Sequence, residues 1–131
     1  MRPMFFTLVM SLALYVGLSP AMSQPATKGA QCFSIRDFRN WKALDARTLY
    51  IRVDTRRYFR LDLETSCPLL LSGNSHLITK WRGSSWVCSA IDWDLKVSDD
   101  PMRGFASPCI VRKMTALSDE EAAAIPRKNR P

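Results

Sequence analysis

Four cysteines, Cys32, Cys67, Cys88 and Cys109, stand 35, 21 and 21 positions apart in a chain of 131 residues. Zinc sites set cysteines about two to four residues apart, and thiol redox centres use Cys-x-x-Cys. Neither spacing occurs, so the sequence points to structural disulfides, which persist only in an oxidising compartment. Three connectivities are open to four cysteines. The favoured one joins Cys67 to Cys88, the end of one expected strand to the middle of another, and Cys32 to Cys109, the first ordered segment to the last strand. In the chain-entropy model these loops are worth roughly 3 and 4.5 kcal/mol, a large contribution where the core is small.

The N-terminus is consistent with that compartment. Met1-Arg2-Pro3 carries one positive charge, residues 4–18 form an uncharged apolar run, and Pro20 with Ala21-Met22-Ser23 follows. A positive start, an apolar centre and small residues at the −3 and −1 positions predict a signal peptide cleaved after Ser23. A spanning helix needs about 20 apolar residues; this run is shorter and contains Thr7, Ser11 and Gly17. A lipoprotein anchor would need a cysteine directly after a small-residue box, and Cys32 lies too far along. Nothing after residue 23 is long and apolar enough to span a bilayer, so the expected mature protein is soluble and exported, periplasmic or secreted. Residues 24–31 read as a flexible leader, 32–125 as one β-rich domain and 126–131 as a basic disordered tail.

Within that domain, period-2 alternation dominates. Leu49, Ile51 and Val53 alternate with Thr48, Tyr50 and Arg52, and Phe59, Leu61 and Leu63 alternate with Tyr58, Arg60 and Asp62. This is a hairpin with one buried face. A three-residue loop, Asp54-Thr55-Arg56, places Tyr50 opposite Arg60 and Arg52 opposite Tyr58, where cation–ring stacking is available. Residues 32–41 predict a strand entering a short helical turn. His76 to Trp81 and Trp86 to Val97 read as a second hairpin, and Pro108 to Met114 as a last strand. Ser118 followed by Glu121 is a capping box opening a short helix, which Pro126 stops. The expected fold is mainly β: a small antiparallel curled sheet or barrel of five to six strands, disulfide-stapled, with a short C-terminal helix.

The string Cys32-Phe33-Ser34-Ile35-Arg36-Asp37, then Trp41, then 45–53 (DARTLYIRV), with Tyr58 to Leu63 before Cys67, the later Cys88 and Cys109, and Leu-Ser-x-Glu-Glu at 117–121, resembles a family of small exported proteins of Gram-negative bacteria that carries only a domain-of-unknown-function label. The likeness covers about residues 32–121. It implies periplasmic or envelope residence and supplies no catalytic residue.

The chemistry the residues permit is narrow. His76 is the sole histidine, so any Ser-His-Asp or Cys-His centre would have to be built around it; a surface position at a loop edge is the plainer reading. No metal ligand set and no cofactor are implied. Asp92 and Asp94, two apart on one expected strand, have the spacing to pair for acid–base hydrolysis of an envelope polymer, although alternating acids on a strand ordinarily form its solvated face. Tyr50, Arg52, Tyr58 and Arg60, with Arg56 and Arg57 at the turn, interleave cations with rings, a pattern that holds anionic polymers by charge and stacking and also one that stabilises a solvated sheet face. Trp81 and Trp86 flank a turn and form a second candidate contact surface, whereas Trp93 belongs with the core. Cleavage takes Lys+Arg from 19 to 18 against 12 Asp+Glu, and that excess of cations favours anionic surfaces. The expected role is non-enzymatic binding or scaffolding of an anionic envelope component or a protein. Nucleic acid is not expected in that compartment.

Overall fold

In a computed structural model of the chain, the described residues are 31–81, 83–100, 102 and 105–131. The expected signal peptide and nearly all of the leader lie outside them. The strands are β1 (Phe33–Ser34), β2 (Phe38–Ala43), β3 (Thr48–Val53), β4 (Arg57–Leu63), β5 (His76–Trp81), β6 (Trp86–Val87), β7 (Trp93–Ser98), β8 (Ser107–Pro108) and β9 (Val111–Ala116), followed by helix α1 (Asp119–Ala124). They make three antiparallel sheets, ordered β1-β6, β2-β3-β4-β9 and β5-β7-β8. The mainly-β antiparallel class with a short C-terminal helix is as expected. The single curled sheet or barrel is corrected: the chain changes sheet between β1 and β2, between β4 and β5, on either side of β6 and between β8 and β9, and no sheet closes on itself.

The first hairpin has the register that alternation demands, with Tyr50 opposite Arg60 and Arg52 opposite Tyr58. A slip by one residue would bury the arginines and expose Leu49, Ile51 and Val53. Its loop is Asp54-Thr55-Arg56. Asp54 takes a left-handed φ of 52°, a conformation that Asp tolerates because its short side chain bonds locally. The Asp54 carboxylate accepts from the Arg56 and Arg57 backbone N–H groups at 2.9 and 3.4 Å, and pairs with Arg57 Nε at 2.9 Å.

The second hairpin is corrected. β5 pairs with β7, setting Trp81 opposite Trp93, but Trp86 to Val97 is not one strand. Its first two residues leave to pair with β1, and a 3-10 turn at Ala90–Asp92 interrupts the alternation. Ile91, which unbroken alternation with Trp93 and Leu95 would turn inward, is therefore 76% exposed. The last expected strand is likewise split between β8 and β9.

The inward residues of all three sheets merge into one core, including Phe33, Leu49, Ile51, Phe59, Leu61, Trp93 and Val97. Phe33 is its hub. It is fully buried, and its ring centroid lies 5.1 Å from Phe59 and 6.1 Å from Trp93.

The disulfides are Cys32–Cys88 and Cys67–Cys109, not the pairing expected from the sequence. Strand pairing explains the difference. Phe33 opposite Val87 sets Cys32 beside Cys88, with Cα atoms 4.1 Å apart. Leu63 opposite Val111 carries Cys67 to Cys109, at 5.9 Å. Both joints lie where the chain passes between sheets.

Helix α1 starts at the expected capping box: Glu121 N–H donates to Ser118 Oγ, and Ser118 N–H donates to the Glu121 carboxylate. The tail beyond it, read from the sequence as disordered, makes defined contacts. Residues Arg127–Asn129 form a 3-10 turn. The Arg130 guanidinium donates to the Ala123 and Ile125 carbonyls, which a helix end otherwise leaves unpaired. Asn129 is buried and donates its amide to the Ala43 carbonyl at 3.0 Å.

Candidate functional site

The outer face of the four-stranded sheet carries the cation and ring positions. Across the strands run Lys42, Tyr50, Arg60 and Thr115, which are successive partners in β2, β3, β4 and β9. Beside them, Asn40, Arg52 and Tyr58 form a second row, and Thr48, Asp62 and Lys113 a third. Lys42, Arg60 and Lys113 are exposed, while Tyr50, Arg52 and Tyr58 are half-buried.

For Tyr58 the half-burial has a definite source. Leu117 N–H donates to the Tyr58 carbonyl at the β9 side of the sheet, and Asn129 reaches Ala43 in β2 at the other. Between these anchors Ala122, Ala123 and Arg130 share a cleft of about 330 Å³ with Thr55, Arg56 and Tyr58. Residues 117–131 thus cross the sheet as a strap over Tyr58, and buried Ala122 and Ile125 lie outside the main core cluster. The Nε of Arg52 and the Oδ1 of Asn129 are both shielded from solvent without a hydrogen-bond partner.

The sequence-predicted surface is therefore divided. Tyr50, Arg52, Tyr58 and Arg60 do come together on one face, but Arg60 turns to Asp62, pairing through Nε at 2.8 Å, rather than stacking on Tyr50. Arg57 spends its guanidinium on Asp54 and the Cys32 carbonyl. Trp86 is exposed but lies in β6, in another sheet, so it does not extend this face. Trp81 ends β5. Lys42 and Lys113 were missed by the sequence reading. Lys42 had a signal, since Trp41 and Ala43 turn to the core on either side of it; Lys113 had none, because its strand pairs with β4 from far along the chain.

Asp92 and Asp94 are not a same-strand pair. Asp92 closes the 3-10 turn, accepting at 2.9 Å from the backbone N–H groups of Cys88 and Ser89 and at 3.2 Å from the Ser89 hydroxyl. The Cys88 N–H, reinforced by Ser89, holds its carboxyl below the ordinary value against the opposing effect of burial. Asp94 sits in β7 opposite Lys80. A general acid needs a raised pKa, and Asp92 is displaced the other way. His76 starts β5 at the surface. Among the described residues, no three His, Cys, Asp or Glu side chains gather as a metal ligand set.

A family model, the family of unknown function DUF6491, matches residues 1–131. The chain belongs to the DUF6491 family. A search of curated proteins finds no match to this DUF6491 member, and a search of solved structures finds none either. The resemblance to a domain-of-unknown-function family, read over about residues 32–121, agrees with this match, and the family supplies no function. The two disulfides indicate an oxidising, extracytoplasmic location for the DUF6491 domain. No helix among its described residues is long and apolar enough to cross a membrane.

Proposed function

We propose that this protein is a non-enzymatic module of the bacterial envelope, exported to the periplasm or beyond, that binds an anionic envelope component through the outer face of the β2-β3-β4-β9 sheet. The observation that carries the reading is the set of exposed cations on one face, Lys42 and Arg60 in one cross-strand row and Lys113 in another, drawn from three strands. Asp62 is the only acid among the strand residues paired across that face. Rigid strands present the three charges together, so a polyanion meets them without ordering long loops. The excess of 18 Lys+Arg over 12 Asp+Glu expected after cleavage adds long-range attraction of the same sign. The capped, anionic state of Asp92 lends no support to hydrolysis.

The test is cosedimentation of the oxidised protein with phosphatidylglycerol/phosphatidylcholine vesicles, compared with phosphatidylcholine alone. The reading predicts binding to the anionic vesicles and its loss in Lys42→Glu/Arg60→Glu/Lys113→Glu. Equal binding by the two proteins, or no binding to anionic vesicles, overturns the assignment of this face.

A further inference from the structure

A cleft of about 520 Å³ opens between β7 and β9, with buried Trp93, Leu95 and Val111 in its lining. Ile91 and Ile110 also line it, and they are 76% and 62% exposed. Fixed backbone displays both. Ile110 lies between Cys109, buried in a disulfide, and buried Val111, so alternation holds its side chain outward. Ile91 lies between Ala90, packed on the core, and Asp92, held by its cap. Neither isoleucine can turn inward without breaking one of these anchors.

Two charges complete the cleft, Asp94 and Arg112. Arg112 is the extra residue of a β-bulge, since Lys113 pairs with Asp62 and Val111 with Leu63. Bulges re-aim side chains, and this one lets Arg112 line the cleft although both of its neighbours are ordinary ladder residues. Neither Asp94 nor Arg112 is in an ion pair among the described residues.

We propose that this cleft is the contact surface for a second copy of the chain, related by a two-fold axis. In an isologous contact the same patch serves both copies. One acid and one base beside an apolar pair are self-complementary: Asp94 meets the partner's Arg112, and Arg112 meets the partner's Asp94. The four isoleucines fill the centre, an apolar middle with a polar rim as in known interfaces. Charge also selects this place. Copies of a chain with this excess of cations repel one another, so they meet where a patch is locally neutral and apolar.

Sedimentation equilibrium of the oxidised protein over a concentration series tests this. The proposal predicts a species of twice the monomer mass. Ile91→Lys and Ile110→Lys sediment as monomers with an unchanged melting temperature. Asp94→Arg or Arg112→Asp alone weakens association by roughly tenfold or more, and the double reversal Asp94→Arg/Arg112→Asp restores it. A wild-type monomer at every concentration, a dimer that survives Ile91→Lys, or a double reversal that fails to restore association each overturns the proposal. Should the lysine variants unfold, the charge-reversal set carries the test alone.

Discussion

Asn129 donates its side-chain amide to the carbonyl of Ala43, a residue 86 positions earlier in the chain. That bond ties the C-terminal strap to β2 and closes the path that begins where Leu117 joins Tyr58. The strap therefore decides how much of the Tyr58 end of that face meets solvent.

Deleting residues 126–131 removes this bond together with the two that Arg130 makes to the end of α1. The expected loss is about 1–3 kcal/mol in urea unfolding. Hydrogen exchange at the Leu117 amide, which donates to the Tyr58 carbonyl, should speed up in the same variant. Asn129→Leu should cost less than about 1 kcal/mol, because it also removes a buried carbonyl oxygen that has no partner.

The core hub gives a larger effect. Phe33 is fully buried and in ring contact with Phe59 and Trp93, so Phe33→Ala should destabilise by roughly 3–5 kcal/mol. Thermal unfolding monitored by near-ultraviolet circular dichroism reports it through the Trp93 signal.

Acid should weaken the 3-10 turn at Asp92. The carboxyl is held below its ordinary value of 3.8, first by the Cys88 N–H. A carboxyl depressed in the folded state adds stability above the unfolded value, and that stability is lost as pH falls through the lower folded one. The wild type should therefore lose stability below about pH 3.8 more steeply than Asp92→Asn, whose amide does not titrate. At neutral pH the variant should be the less stable by about 1 kcal/mol, the usual worth of a cap. Urea titrations of both proteins across that range read out the difference.

Binding to anionic vesicles should weaken with ionic strength. The cations of the proposed face are exposed, and screening at 0.15 M salt limits such charges to about 8 Å. Cosedimentation repeated from low to physiological salt should show a steady fall, and a salt-independent isotherm would argue for an apolar mode instead.

Local patterns in the sequence carried the first hairpin and the helix cap. Strict alternation either side of a three-residue loop leaves one register that keeps Leu49, Ile51, Phe59 and Leu61 inside, and Ser118 with Glu121 has little use other than a cap. The second hairpin misled because Val87, Ile91, Trp93, Leu95 and Val97 keep one parity across the break, with only Ser89 out of pattern. The Ser89…Asp92 spacing, a capping signature in its own right, marked the break. Disulfide pairing was beyond reach for a different reason. It follows from β1 meeting β6 and β4 meeting β9, contacts between distant segments that no local period encodes. The candidate face was half legible: the arginines and tyrosines of β3 and β4 announced themselves, whereas the strap over them depends on Asn129 and Arg130 finding particular carbonyls, in a segment whose composition reads as a solvated tail.

The domain's sheets are joined by two specific sulfur bridges, each closing a loop worth about 4 kcal/mol in the chain-entropy model. Proteolysis of protein from the envelope fraction under non-reducing conditions, followed by mass spectrometry, addresses this pairing most directly. Peptides linked through Cys32–Cys88 and Cys67–Cys109 are predicted; free thiols at these positions, or a Cys67–Cys88 link, would contradict the account.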